Sequence, residues 1–109
     1  MVLPTIDLMT GIDCIAALKA LAEQTRMRIL RLLLKDQLSV NEIVQRVKVS
    51  QYTVSKHLKI LREAGLVEAE KKGKQRLYTV AKNLNTQLKR NANVLELGCC
   101  TFRFDRLPR

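Results

Sequence analysis

Apolar and polar positions alternate at helical spacing through the first two thirds of the chain and at strand spacing just after it. Between Ser50 and Gly65, Val54, Leu58 and Leu61 recur on one side of a helix with Gly65 following them, while Tyr52, Lys56, Lys59 and Glu63 gather opposite. The pattern predicts a helix with one face for a core and one for a partner. Ser50 suits an N-cap and Gly65 a left-handed stop, so both ends are specified locally. Upstream, Thr10 precedes a first amphipathic segment from Gly11 to Ala22, with Ile12, Ile15, Ala16, Lys19 and Ala22 on one side. A second helix is expected from about Gln24 to Leu34, apolar through Met27, Ile29, Leu30, Leu33 and Leu34 and basic through Arg26, Arg28 and Arg31.

Ser39-Val40-Asn41-Glu42 matches the S-x-x-E capping box and opens a short third helix carrying Ile43, Val44 and Val47. Lys48-Val49 then makes a turn into the helix at Ser50. Two short helices joined in this way form a helix-turn-helix unit. After Gly65 the period falls to two: Leu66 to Glu70 and Gln75 to Val80 read as strands joined by the turn Lys71-Lys72-Gly73-Lys74. A last helix is expected from Leu84, capped by Asn83, to about Leu97, with Gly98 as its stop. Its apolar stripe is wider than a small domain covers alone. A symmetric dimer is therefore expected, built from Ile12 and Ile15 of the first helix and Leu84, Leu88 and Leu95 of the last.

The expected fold class is mainly α with a small β-hairpin, a winged helix-turn-helix. Residues 1–9 read as an N-terminal arm, 10–98 as the DNA-binding and dimerisation domain, and 99–109 as a C-terminal tail bearing a cysteine pair. A length of 109 residues fits one domain.

Charge narrows the class of partner. Lys and Arg number 20 against 10 acidic residues, a formal net charge of +10, which favours polyanions. No apolar run approaches the roughly 18 to 20 residues that span a bilayer, and the first residues lack a basic leader, so nucleic acid is preferred to membrane and a cytoplasmic location is expected. The polar face of the central helix carries Gln, Tyr, Ser and Lys, which suit phosphates and major-groove base edges. A basic hairpin directly behind such a helix reads as a wing lying along the backbone. Arg26, Arg28 and Arg31 read more simply as solvated helix charge. His57, the single histidine, suits a hydrogen bond steadying the central helix or a phosphate contact. No arrangement of Ser, His and Asp or of paired carboxylates supports catalysis, so an enzyme is not expected.

Two stretches resemble a known family. Ala20-Leu21-Ala22-Glu23-Gln24-Thr25-Arg26-Met27-Arg28-Ile29-Leu30 and the run from Val49 to Val67 are similar to the ArsR/SmtB family of bacterial winged-helix regulators over roughly residues 15 to 80. The resemblance implies a homodimeric repressor that leaves its operator when an inducer, often a metal or metalloid ion, binds. It also implies Ser50, Gln51, Tyr52, Ser55 and Lys56 as groove-reading positions, to which Thr53 and Lys59 of the same helix are added, and Lys71, Lys72, Lys74 and Arg76 as the wing. Two of the family's ion sites are missing. Leu38 to Asn41 lacks the Cys-x-Cys pair of many arsenic and cadmium sensors, and residues 84 to 97 lack the Asp and His of zinc sensors.

The remaining candidate chemistry is thiol. Cys99 and Cys100 are adjacent, and Cys14 from the first helix of a second subunit would make a three-thiol set suited to As(III) or another soft ion. The alternatives are redox or persulfide sensing by the same cysteines, or inert thiols. A non-specific architectural DNA binder would share the same charge. Asn93 to Cys99 also looks like a methyltransferase glycine-rich motif, but too little chain follows for that fold.

Overall fold

The structure, a computed structural model, describes residues 6–7, 12–90, 92, 94–96 and 101–103. Two short strands, β1 (Ile6–Asp7) and β2 (Ile12–Asp13), pair antiparallel and lead into helix α1 (Cys14–Leu21). Helix α2 (Gln24–Lys35) follows, capped by Glu23, whose carboxylate accepts the Arg26 N–H at 2.8 Å. The basic side of α2 does not point uniformly to water: Arg28 is exposed, but Arg26 is half-buried and bonded.

Strand β3 (Leu38–Ser39) runs straight into helix α3 (Val40–Val47) through the expected capping box. The Glu42 N–H donates to the Ser39 hydroxyl at 3.3 Å and the Ser39 N–H to the Glu42 carboxylate at 3.0 Å. The Ser39 bonds hold the Glu42 carboxyl below its ordinary pKa. Lys48 ends α3 in a left-handed conformation, φ 58°, at a position where helix-turn-helix turns often place glycine.

Helix α4 (Gln51–Glu63) closes as its sequence predicts. Gly65, at φ 80°, donates to the Arg62 carbonyl at 3.0 Å while Leu66 donates to that of Leu61 at 2.9 Å, the paired bonds of a Schellman motif. Leu66 enters the core at once, and strands β4 (Val67–Lys72) and β5 (Gln75–Val80) form a hairpin. The turn is tighter than expected. Lys71 and Lys72 belong to the strand, leaving only Gly73 and Lys74 as the loop, with Gly73 at φ 63°. The sheet has the order β3-β5-β4, all antiparallel.

The last helix departs from expectation. Helix α5 spans only Lys82–Arg90, its first amide held by the Glu68 carboxylate at 3.3 Å, and residues expected to continue it form strand β6 (Val94–Glu96) paired with β7 (Thr101–Arg103). Asn91 and Asn93 are poor helix formers, Ala92 takes φ 52°, and Leu95 becomes fully buried opposite Phe102.

The dimer surface expected at the end of the chain changes accordingly. Leu84, Leu88 and Leu95 are at most 1% exposed within a single chain, so they belong to its core and present nothing to a partner. They join Ile29 and Leu30 of α2, Ile43 of α3 and Leu58 and Leu61 of α4. Among the described residues, Ile15 and Leu18 of α1 are large aliphatic side chains left exposed, at 54% and 39%. The side chain of Ile12 lies outside the described residues.

Candidate nucleic-acid interface

Helix α4 rests on its neighbours through Val54, Leu58 and Leu61, all buried, and each fully buried side chain contributes about 1.5 to 3 kcal/mol. The 3.6-residue period then leaves Gln51, Tyr52, Ser55, Lys56, Lys59, Arg62 and Glu63 on the outward face. Tyr52 is 79% exposed, an unusual position for a large aromatic on a helix that has a core available. Arg62 went unrecognised in the sequence although its spacing from Lys59 puts it on the same face. A shallow depression of about 280 Å³ lies beside Lys59, Arg62 and Glu63.

Ser50 and Thr53 serve a different purpose from the rest of the expected reading set. The Ser50 hydroxyl accepts the Thr53 N–H at 3.1 Å and donates to the Thr53 hydroxyl at 2.8 Å. Both hydroxyls are thus committed to the start of α4, and Thr53 is half-buried. The freely presented side chains are Gln51, Tyr52, Ser55, Lys56 and Lys59. Gln51 and Tyr52 stand on the first turn, where backbone amides add a positive potential, and Ser55, Lys56 and Lys59 continue the same face toward the middle of the helix.

The basic hairpin is divided by strand alternation. Val67, Ala69 and Lys71 face one way and pair with Val80, Tyr78 and Arg76, so the inward face of the sheet runs outward to two cations at its tip. Lys72 points the other way, where its Nζ donates to the Gln37 side-chain oxygen at 3.3 Å, and Gln37 in turn donates to Glu70 at 3.4 Å. The structure sets Lys71 opposite Arg76, with Lys74 in the turn that joins their strands, and ties Lys72 to Gln37. Among the described residues, Lys56, Lys59, Arg62, Lys71, Lys74 and Arg76 form no ion pair, whereas Arg46 pairs with Asp36 at 3.9 Å and His57 with Glu23 at 3.8 Å.

His57 occupies the flank of α4, its side chain 14% exposed, with Nδ1 3.2 Å from Arg26 Nη1. The steadying hydrogen bond is therefore present, to a residue 31 positions away that sequence periodicity could not identify. Burial pushes the His57 pKa down; Glu23 opposes this, and the charges of Arg26 and Lys56 reinforce it. At Glu23 burial works against the charged form, but the Arg26 and Thr25 amides and the charges of His57 and Arg26 outweigh it and lower the pKa.

The thiol constellation is only partly described. Cys14 opens α1 with its side chain outside the described residues, and Cys99 and Cys100 lie outside them entirely. Among the described residues no group of three His, Cys, Asp or Glu side chains is placed to hold a metal ion. Helix α5 offers amides, a hydroxyl and cations, a donor set unsuited to zinc. Among the described residues no helix is long and apolar enough to cross a membrane.

Comparison with known proteins agrees with this architecture. A family model described as "Bacterial regulatory protein, arsR family" matches residues 18–69. The transcriptional activator HlyU of Vibrio cholerae is 36% identical over 86 residues, which cover 79% of this chain and 77% of HlyU. A probable mercury resistance operon repressor of Streptomyces lividans is 34% identical over 89 residues, 76% of this chain and 71% of that protein. Among solved structures, the homodimeric winged helix-turn-helix DNA-binding domain Mb0332 of Mycobacterium bovis, a possible ArsR-family transcriptional regulator, superposes with a TM-score of 0.64 at 31% identity, covering 72% of each chain. Chain, fold and outward basic face agree: the protein belongs to the arsR family of bacterial regulatory proteins and has the winged helix-turn-helix fold of a DNA-binding transcriptional regulator.

Proposed function

We propose that the protein is a sequence-specific transcriptional repressor that binds a double-stranded operator as a homodimer. The observation that carries the reading is the outward face of α4, where Gln51, Tyr52, Ser55, Lys56 and Lys59 are presented together beside a cationic wing tip. Two such helices would enter successive major grooves of an imperfect palindrome while Lys71, Lys74 and Arg76 hold flanking phosphates. Helix α1 supplies the dimer surface through Ile15 and Leu18. Support for a homodimer comes from the homodimeric Mb0332 domain. HlyU is named an activator and the Streptomyces protein a repressor, so the direction of regulation is part of the test.

Genomic fragments selected on the purified protein should yield a common imperfect palindrome. Operator affinity should exceed that for random duplex by about 10³ or more at moderate salt. Gln51→Ala and Ser55→Ala should relax sequence preference, whereas Lys74→Ala should weaken all DNA about equally. Binding of random and selected duplexes within about tenfold would make the protein an architectural DNA binder instead.

The inducer we propose is a soft thiophilic ion such as As(III), bound by Cys99 and Cys100 with Cys14 as a third thiolate. The name of the Streptomyces relative, which points to mercury resistance, supports a thiophilic ligand. Operator release titrated with As(III), Cd(II), Zn(II) and an oxidant, repeated on the Cys99→Ser, Cys100→Ser double variant, separates ion binding from thiol oxidation. Equal release from both proteins would leave the thiols without a sensing role.

A further inference from the structure

Arg26 stands where three elements meet. Its Nε donates to the Ala20 carbonyl at 2.6 Å and its Nη2 to the Lys19 carbonyl at 3.2 Å, so the guanidinium closes the C-terminal end of α1. Its Nη1 reaches His57 Nδ1 on α4 at 3.2 Å. Its backbone N–H donates to Glu23 Oε2 at 2.8 Å, and that same oxygen is 3.8 Å from His57 Nδ1. One imidazole nitrogen thus has a permanent donor and a permanent acceptor as rival neighbours.

A guanidinium only donates, so contact with Arg26 Nη1 requires the lone pair of His57 on Nδ1, its proton on Nε2 and a neutral ring. A second proton turns Nδ1 into a donor. It then repels Arg26 and gains an ion pair with Glu23. The charged groups facing it are Glu23 on the connection between α1 and α2, Arg26 on α2 and Lys56 on its own helix. Helix α1, which also packs on α4, carries one charged side chain, Lys19, and contributes the two carbonyls held by Arg26.

We propose that Arg26 is a positioning residue for α4, and that exchange of His57 Nδ1 between Arg26 and Glu23 is a proton-driven switch linking the end of α1 to the presentation of α4 to DNA. The proposal rests on the DNA-binding reading above. In the neutral form one guanidinium bridges α1 and α4, so the helix proposed to contact the second subunit and the helix proposed to contact DNA share a rigid link. Protonation of His57 removes the α4 half of that link. The resting state near neutral pH is the Arg26-bound one, consistent with the lowered His57 pKa.

His57 is the single histidine of the chain, so its imidazole nitrogen resonances are unambiguous in the intact protein. The free protein near neutral pH should show the neutral Nε2–H tautomer. Operator affinity should fall severalfold as pH is lowered from about 8 to about 5, with the fall beginning below the ordinary histidine value because the His57 pKa is lowered. His57→Asn, whose side-chain oxygen can accept from Arg26 but does not titrate, should keep the high-pH affinity with a flat profile. Lys59→Ala should weaken binding in parallel at every pH. The same pH profile in the wild type and His57→Asn, or an Nδ1–H tautomer, would overturn the switch. Failure to bind any DNA at any pH would instead sink the DNA reading and the link to it, while the tautomer still decides whether Arg26 holds the ring.

Discussion

Lys71 on β4 stands directly opposite Arg76 on β5, on the face of the hairpin that carries Tyr78 and Val80 into the core. Like charges in that register repel, and a phosphate between them would relieve the repulsion. Lys71→Glu should therefore stabilise the free protein by about 0.2 to 1 kcal/mol. The same change should weaken DNA binding and lower the slope of log K against log salt by roughly one unit per lost phosphate contact. Thermal melts and a salt titration on one preparation check both signs; a wing that gains stability and affinity together would contradict a phosphate contact.

Ile15 and Leu88 should respond differently to the same kind of change. Ile15→Asp places a charge on a half-exposed site and should leave folding intact while abolishing dimerisation. Leu88→Ala empties a fully enclosed site and should cost about 2 to 5 kcal/mol of stability. Sedimentation and urea denaturation separate the two outcomes. An unchanged dimer in Ile15→Asp would exclude this face of α1.

Acid should destabilise the fold in two stages. The His57 pKa is lowered in the native state, so its contribution is complete above the ordinary value of 6.5 and is lost as pH falls through the native value. Glu23 and Glu42 are also lowered, so their contributions are complete above 4.5 and vanish as pH falls through their native values. Denaturant midpoints measured across this range should decline in that order. His57→Asn should remove only the first stage.

Gly65 sits at φ 80° in the motif that sends Leu66 into the core. Gly65→Ala should cost about 1 to 2 kcal/mol from the left-handed backbone alone, and Gly65→Asn less. Ser39→Ala should cost about 0.5 to 2 kcal/mol through the lost cap of α3. Equilibrium unfolding measures all three.

The local devices were legible in the sequence because each is written within four residues. The Ser39 and Glu42 box, the Ser50 cap and the Gly65 stop all form as their spacing requires. So does the outward face of α4, since helical period alone separates Tyr52 from Val54. What periodicity could not supply were contacts that depend on distant strands and helices. Leu84, Leu88 and Leu95 read as one apolar stripe whether covered by a partner or by their own chain, and the chain's own core takes all three, with β6 packed on α5. Lys72 reads like Lys71 until strand alternation sends it toward Gln37. Arg26 reads as surface charge until α1 and His57 are brought against it.

Ser39 is at once the end of β3, paired with Leu77 of the wing, and the cap of α3. One residue thus belongs to both the sheet and the helix pair, and the short Gly65-Leu66 closure ties α4 to β4 at the other junction. The spacing between a base contact on α4 and a backbone contact on the wing is consequently a fixed caliper. In the homodimer proposed above, a signal would then act on how two such calipers are set apart rather than on either caliper itself.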